Sequence, residues 1–420
     1  MSTSETQAQT PLLNIIRSAD NFPSFTTPYP TRHPLNGKRL LPLHLTLKDF
    51  QSRLPPIGLV PSDLLKDLKS EKGLQFFSIL KKLEGKEREL AKKAKDKKKN
   101  EVAKQQEQEE EQEKPQEQEE GVPEGEQVIE SGGKDKEEKK KHKEDYKVIV
   151  LAIFFSDEVN KQGLKARTEV MSRVVAKWKD ANKFPEAMKL WMNEPFPIYA
   201  STKSSMWQQS KEIQQEAKKP FGNVAFEIER AATPILGCTA LGVHVTAYEG
   251  QGDEMKVWIP RRSANRIKSP LKYDSTVAGD IRSGHTPLQA LLVECKEEAG
   301  WDEGLIKRYV RHAGMISLFQ LTKWGGLAPG GYVFDLPLPS SDSDDYIKPQ
   351  PNDEEVESFQ LLSVPEVISA LKRNEFKPTS AVVTIDFLIR HGFINPENEA
   401  NYAEIVKRIH RKTGVAGPGY

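Results

Sequence analysis

The sequence predicts a mixed α+β protein in which an α/β/α sandwich follows a smaller α+β domain with a long charged insertion. Low-complexity charged sequence divides the amino-terminal half, globular patterns lie on both sides of it, and strand-like runs alternate with helical runs from residue 239 onward. Strands flanked by helices form a layered sandwich. The predicted segments are 1–83 and 146–235 for the first domain, 84–145 for the insertion, 236–395 for the sandwich, and 396–420 for a terminal helix and tail.

In the first domain, we predict short helices at 11–18 and 47–54. Thr46 is the expected N-cap of the second helix, because its hydroxyl can accept a hydrogen bond from the first turn. The β-branched and aromatic run YKVIVLAIFF at 146–155 predicts a buried strand. Residues 167–181 predict an amphipathic helix, since apolar residues recur at helical spacing. The apolar positions are Val170, Val174, Val175 and Trp178.

The insertion at 84–145 is nearly free of large apolar side chains, so it cannot bury enough surface to offset its ordering entropy. Its first part contains good helix formers and predicts a solvated helix, whereas its later Pro and Gly residues predict disorder. The lysine cluster Lys139–Lys143 has two readings, a signal for nucleic-acid binding or nuclear import and a solvated spacer. Interleaved glutamates favour the spacer.

The second domain begins with a predicted hairpin, TALGVHVTAYE and MKVWIPRR, joined by a glycine-containing turn. A short strand at 277–279 precedes a helix at 287–299. Strands at 314–321, 332–336 and 358–362, and helices at 364–373 and 381–391, complete the predicted sandwich.

Composition limits the partners and the compartment. There are 62 basic and 61 acidic residues, giving a net charge of +1, so no overall bias toward nucleic acid or acidic lipid exists. The two cysteines, Cys238 and Cys295, are too few for a disulfide framework and favour a reducing compartment. No apolar run is long enough for a transmembrane helix, and no secretory signal begins the chain. We therefore predict a cytoplasmic protein without membrane or nucleic-acid partners; the sequence leaves its oligomeric state open.

The helix at 287–299 carries the candidate chemistry. One of its stripes is apolar, and a second contains Glu294, Glu297 and Glu298 at positions i, i+3 and i+4. Three carboxylates on one helical face repel one another unless a cation lies among them, and such oxygen ligands suit Mg²⁺ or Mn²⁺. A plain solvated face is the alternative. The glycine-containing loop AGDIRSGHTP directly before the helix favours a metal and phosphate site, because its backbone N–H groups can approach phosphate oxygens.

The segment GDIRSGHTPLQALLVECKEEAGW resembles the Nudix box of the Nudix hydrolase family. Gly279 matches the first glycine of the box, and the closing half matches at the same spacing. Three positions depart from the pattern: Asp280 replaces a common second glycine, and His285 and Val293 stand where the box has a Glu and an Arg that brace the catalytic helix. The matching residues of the closing half are Glu294, Cys295, Glu297, Glu298, Gly300 and Trp301.

The resemblance implies a Nudix α/β/α sandwich that hydrolyses a small-molecule diphosphate with Mg²⁺, or Mn²⁺, as cofactor. It implies that Glu294, Glu297 and Glu298 bind metal, with Glu297 and Glu298 as the catalytic residues. For a fourth metal ligand we predict Glu355 from the acidic loop PNDEEVESF, with Glu357 as the second choice. The predicted substrate-binding residues are Arg261, Arg262 and Gly279.

Segments outside the box are similar to a Nudix subfamily associated with thiamine pyrophosphokinase, among them VWIPRRSANR and the upstream WMNEPFPIYAS. A kinase domain is not expected, so the implied reaction is hydrolysis of oxidised thiamine diphosphate analogues to the monophosphate. Two alternatives stay open. One is an oxidised nucleotide such as 8-oxo-dGTP as substrate, and the other is a catalytically silent Nudix fold that binds a ligand or partner.

Overall fold

The structure is a computed structural model that describes residues 10–82 and 146–419. The predicted charged insertion at 84–145 lies outside the described residues. The described residues fall into two compact units: residues 10–76 and 152–419 belong to one, and residues 77–82 and 146–151 belong to the other.

Amino-terminal elements alternate between short strands and helices. Among the described residues the strands are β1 (Leu40–His44), β2 (Gly58–Pro61), β3 (Leu74–Lys82), β4 (Tyr146–Phe155), β5 (Pro195–Tyr199) and β6 (Val224–Glu229). The helices are α1 (Leu12–Ala19), α2 (Leu47–Gln51), α3 (Leu65–Leu68), α4 (Asp157–Gln162), α5 (Leu164–Asp180), α6 (Pro185–Met188), α7 (Lys211–Lys218) and α8 (Thr233–Leu236).

These strands form a four-stranded sheet in the order β2-β1-β4-β3 and a separate ribbon of β5 and β6. In the ribbon the two strands run antiparallel, with Phe196 opposite Ile228. Helix α5 buries the predicted apolar positions, including Val170 and Trp178. Thr46 caps α2 as predicted, accepting from the Asp49 N–H at 3.2 Å. The amphipathic spacing therefore predicted which face of α5 packs inward.

The carboxy-terminal elements form the larger sheet and its helices. The strands are β7 (Thr239–Glu249), β8 (Lys256–Arg262), β9 (Val277–Asp280), β10 (Arg311–Ser317), β11 (Gln320–Leu321), β12 (Gly326–Pro337) and β13 (Val356–Ser363). The helices are α9 (Pro287–Ala299), α10 (Glu303–Tyr309), α11 (Val364–Lys372), α12 (Pro378–Arg390) and α13 (Tyr402–Ile409).

Seven strands form this mixed sheet, in the order β10-β12-β7-β8-β13, with β9 beside β7 and β11 beside β12. Successive residues of β7 point to opposite faces, as the pleat of a strand requires. Ala247 packs in the core under α9 and α10, and Tyr248 packs in the core under α11, α12 and α13. Helices thus cover both faces, which confirms the predicted mixed α+β fold and its layered sandwich.

The amino-terminal helix α1 packs into the second of these cores. Leu12, Ile15 and Ile16 are buried there with residues of α12 and α13. At its end, buried Asp20 pairs with Arg408 at 2.9 Å and Arg411 at 3.0 Å. The domain boundary at 235/236 stays a prediction, while these contacts tie the start of the chain to its end.

Two strand predictions differ from the structure. The run predicted as one strand at 314–321 is divided into β10 and β11, and the intervening Leu318 and Phe319 are buried. The strand predicted at 332–336 begins earlier, at Gly326, because β12 pairs in parallel with β7 from Ala328 to Pro337. Pairing with a long neighbour overrides the low strand propensity of its glycines.

Two further expectations concern the environment of the chain. Cys238 and Cys295 are buried and unpaired. Across residues 10–82 and 146–419, every helix is too short or too polar to traverse a lipid bilayer.

Candidate metal and diphosphate site

Helix α9 has the predicted bounds because both ends are well capped. Thr286 accepts from the Gln289 N–H at 3.3 Å, and the Gln289 side chain accepts from the Thr286 N–H at 2.9 Å. Pro287 occupies the first turn, where its missing N–H costs nothing. Gly300 ends the helix in the left-handed conformation, with φ of 67°. Local sequence therefore fixes where the acidic stripe begins and ends.

The three glutamates of the stripe have different surroundings. Glu298 is buried and its Oε2 accepts from the Ala278 N–H of β9 at 3.0 Å. Glu294, one turn earlier, is half-buried against Gly279, where an added Cβ would lie 2.0 Å from the Glu294 carboxyl carbon. Glu297 is exposed. Glycine at 279 thus allows the Glu294 carboxylate to lie directly on the strand.

Burial and mutual repulsion raise the pKa values of Glu294 and Glu298. Burial, followed by repulsion from Glu297, raises the pKa of Glu294 to about 8, with Asp280 and Glu355 adding to the rise and Arg282 opposing it. The pKa of Glu298 is also raised well above its ordinary value, mainly by burial, although the Ala278 N–H favours its ionised form.

Of the two candidates from the acidic loop, Glu355 is the one close to the helix. Its charge raises the pKa of both Glu294 and Glu298. The Glu355 carboxylate forms an ion pair with Arg266. Glu357 is exposed on β13. The structure therefore brings Glu294, Glu298 and Glu355 into one electrostatic cluster.

Arg262 is buried, and each of its three guanidinium nitrogens donates a hydrogen bond to the protein. Its Nη1 donates to Asp274 at 2.6 Å, Nε to the Ser269 carbonyl at 3.1 Å, and Nη2 to the Lys268 carbonyl at 3.1 Å. A phosphate contact by Arg262 stays a prediction without support from this geometry, because its donors hold the loop between β8 and β9.

Arg261 is more open than Arg262. Its guanidinium stacks over Tyr273, 4.5 Å from the ring centroid, and Nη1 donates to the Leu271 carbonyl at 2.8 Å. Its contact with substrate phosphate stays a prediction.

The loop between β9 and α9 carries charges that the sequence reading did not assign. Asp280 forms an ion pair with Arg230, which follows β6. Arg282 lies 3.2 Å from Glu194, which precedes β5. Arg282 was missed although it is the only cation of the loop AGDIRSGHTP. Its partners were not predictable, since no local pattern links them to this loop.

The carboxylate oxygens of this cluster are suitable ligands for a hard divalent cation. Within the two described stretches of the chain, no three Asp, Glu, His or Cys side chains converge as a ligand cluster. Yet the nearby groups are carboxylates, two of them have raised pKa values, and carboxylate oxygens are what Mg²⁺ and Mn²⁺ prefer. A bound cation would favour their ionised forms.

Comparison with known proteins adds relatives to this geometry. No family model matches the chain. An uncharacterized protein of Saccharomyces cerevisiae, YJR142W, is 38% identical over 238 residues, covering 54% of this chain and 62% of its own. Nudix hydrolase 20, chloroplastic, of Arabidopsis thaliana is 34% identical over 46% of this chain and 51% of its own. Nudix hydrolase 24, chloroplastic, of the same plant is 34% identical over 44% and 49%.

Two of these three relatives are named Nudix hydrolases, which supports the resemblance of this chain to that family. This chain spans about half the length of the two Arabidopsis Nudix hydrolases and 62% of the yeast protein. Among solved structures, a Nudix hydrolase from M. smegmatis, RenU, is similar with 14% identity and a TM-score of 0.27, covering 37% of this chain and 88% of its own. With a TM-score this low, that likeness does not by itself define the fold.

Two of the three departures from the Nudix-box pattern, His285 and Val293, leave this helix without the Glu–Arg ion pair of that pattern. His285 is exposed, and its Nδ1 lies 3.4 Å from the Ser283 carbonyl. Val293 is half-buried. His285 and Val293 therefore cannot form the Glu–Arg ion pair that would join the loop between β9 and α9 to helix α9. Any fixed position of the loop must therefore come from other contacts.

Proposed function

We propose that the protein is a Nudix pyrophosphohydrolase that uses Mg²⁺ to cleave a small-molecule diphosphate. The observation that carries the proposal is the placement of Glu294 and Glu298 side by side against β9, both short of positive charge. A structural carboxylate at such depth ordinarily has a basic partner. These two lie against Ala278 and Gly279 of β9, directly before the loop that leads into α9.

In this proposal, Glu294, Glu297 and Glu298 would hold the cation, and Glu355 would join them on leaving Arg266. A bound Mg²⁺ would supply positive charge for the diphosphate oxygens and make a nearby water more acidic. Glu297, which is exposed beside Glu294, would accept a proton from the attacking water. Water oxygen bonds to phosphorus as the bond from phosphorus to the leaving oxygen breaks. Two phosphorylated products, or a monophosphate and phosphate, leave.

For the substrate, we propose oxidised thiamine diphosphate analogues, converted to the corresponding monophosphate and inorganic phosphate. This choice rests on the similarity of the flanking segments to the thiamine-associated subfamily. Arg261, which is half-buried with its guanidinium over Tyr273, is proposed to contact substrate phosphate. Cytoplasmic location likewise remains a proposal.

The first test measures phosphate and pyrophosphate release by the full chain with Mg²⁺ from oxidised thiamine diphosphate, intact thiamine diphosphate and 8-oxo-dGTP. We expect the oxidised thiamine compound to be cleaved fastest, and turnover to fall about 100-fold in Glu298→Gln. A matched control is Glu303→Gln, an exposed glutamate of α10 that pairs with Lys307. Preference for 8-oxo-dGTP would overturn the substrate and leave the enzyme class intact.

A silent fold predicts a different pattern. Such a protein would release neither product from any of the three compounds, and Mg²⁺ would not raise its melting temperature. Binding of a cation to the native state alone stabilises it by mass action. Absence of both signals would overturn the proposed activity and favour a binding protein.

A further inference from the structure

The loop before α9 is attached to the β5–β6 ribbon of the amino-terminal part. Arg230 pairs with Asp280 at the start of the loop. Glu194 lies 3.2 Å from Arg282 in the middle of the loop. Both ion pairs are only partly exposed, so solvent screens them less than it screens surface pairs. Two residues of opposite charge thus hold two consecutive parts of the loop.

A third attachment lies at Ser283. Its N–H donates to the Pro195 carbonyl of β5 at 3.0 Å, and its hydroxyl donates to the Glu227 carboxylate of β6. Both strands of the ribbon therefore contact the same loop residue. Since one of these two bonds uses the backbone N–H of Ser283, it fixes the alignment of the loop with β5.

The ribbon is itself fixed from behind by α5. Thr168 accepts from the Glu227 N–H at 3.0 Å, and Arg167 Nε donates to the Ala225 carbonyl at 2.5 Å. Arg167 is buried, and its Nη1 has no hydrogen-bond partner. Burying a guanidinium without a carboxylate is costly. The bond from its Nε to the Ala225 carbonyl is a second contact between α5 and β6.

We propose that Glu194, Glu227 and Arg230 are positioning residues that hold the loop between β9 and α9 against the carboxylates of α9. Helix α9 offers no such brace, because His285 is exposed and Val293 is apolar. Arg282 also lies close enough to influence Glu294. The amino-terminal ribbon is in this way part of the metal site without contributing a ligand. The inference rests on the proposed function for its purpose, and on the contacts alone for its mechanics.

The test uses the full chain with Arg230→Met and Glu194→Gln combined. Hydrogen exchange of the peptide 280–286 should become about fivefold faster, as expected when roughly 1 kcal/mol of ion pairing is lost. Binding of Mn²⁺ alone, followed by the loss of its free-ion paramagnetic resonance signal, should weaken about tenfold, as when supporting contacts of a metal site are removed. Arg230→Lys with wild-type Glu194 should recover much of both, because it keeps the charge.

Two further variants complete the design. Glu216→Gln removes an exposed pair with Lys219 in the same part of the chain and should leave both readouts unchanged. Ser283→Ala removes only the hydroxyl bond to Glu227, so it tests the ribbon contact even if the double variant fails to fold. It should speed exchange of 280–286 about threefold, corresponding to one hydrogen bond.

The outcomes separate this proposal from the proposed function. Unchanged loop exchange in folded Ser283→Ala and in the folded double variant would overturn the positioning role. If wild-type protein binds no Mn²⁺ while loop exchange responds as expected, the brace stands and the metal function fails. Equal weakening of Mn²⁺ binding in the double variant and in Arg230→Lys would also contradict the proposed ion pair.

Discussion

Two groups of buried carboxylates lie close together in this protein and have opposite surroundings. Asp274 accepts from Arg262 at 2.6 Å and from Lys377 at 3.2 Å, and Ser380 donates to it as well. These partners outweigh burial and hold the pKa of Asp274 well below its usual range. Glu298 accepts a hydrogen bond from the backbone N–H of Ala278, and burial raises the pKa of its carboxyl. The first carboxylate has basic partners, whereas within the described residues no ion pair is formed by the second.

The largest expected effect is on the carboxylate with basic partners. Asp274→Asn should lower the free energy of unfolding by about 4 kcal/mol, because Arg262 and Lys377 lose their anionic partner in a largely buried setting. Urea unfolding measures it. Asp345→Asn is the matched control, since its pair with Arg308 is exposed and little change is expected. A loss for Asp274→Asn as small as in the control would remove the contrast.

Glu298→Gln should show the reverse pattern. Turnover should fall about 100-fold, equivalent to roughly 3 kcal/mol of barrier, because a ligand to the cation is lost. Stability without metal should be equal or higher, since the amide oxygen can still accept from Ala278 and no carboxyl is buried. Initial rates with Mg²⁺ and unfolding in a chelator measure the two quantities. A strongly destabilised but active variant would make Glu298 a structural residue.

Much of the site's helix could be predicted because its signals are local. Pro287 and Gly300 mark the ends of α9, and the spacing of its glutamates places them on one face. Sequence spacing could not show that Glu298 would be buried and Glu297 exposed. That difference depends on where β9 lies against the helix, which is a tertiary property.

Contacts between distant segments were beyond local pattern. The residues of β6 alternate between buried Phe226 and Ile228 and more open glutamates, which is a strand signal. Nothing in that alternation says that Glu227 meets Ser283. Similarly, β12 extends through glycines because of its long parallel pairing with β7. A sequence reading finds elements and local caps, and the pairing of elements decides the rest.

Gly279→Ala tests how closely the carboxylates of α9 lie on the strand. An added methyl would overlap the Glu294 carboxyl group. Since that group ends a flexible side chain, we expect it to move away, with Mn²⁺ binding weakened about tenfold, or ~1.4 kcal/mol. Calorimetric titration measures the affinity. In a Glu294→Ala background the same change should add almost nothing, and an equal additional loss there would show that the clash is not with Glu294.

The smallest effect is a difference in pH dependence between the two groups. Without metal, the pKa of Glu294 is raised to about 8, from near 4.5 when unfolded. The folded protein then keeps a proton that the unfolded chain has lost, so this stabilising contribution is complete below pH 4.5 and is lost as pH rises through 8. Asp274 has the opposite sign, because its lowered pKa adds stability that is lost on acidification.

Glu294→Gln should therefore reduce the fall in stability between neutral and mildly alkaline pH by about 1 kcal/mol. The effect is modest because Glu294 is partly exposed. Urea unfolding of both proteins in a chelator provides the comparison, and parallel pH profiles would mean that folding does not raise the pKa of Glu294.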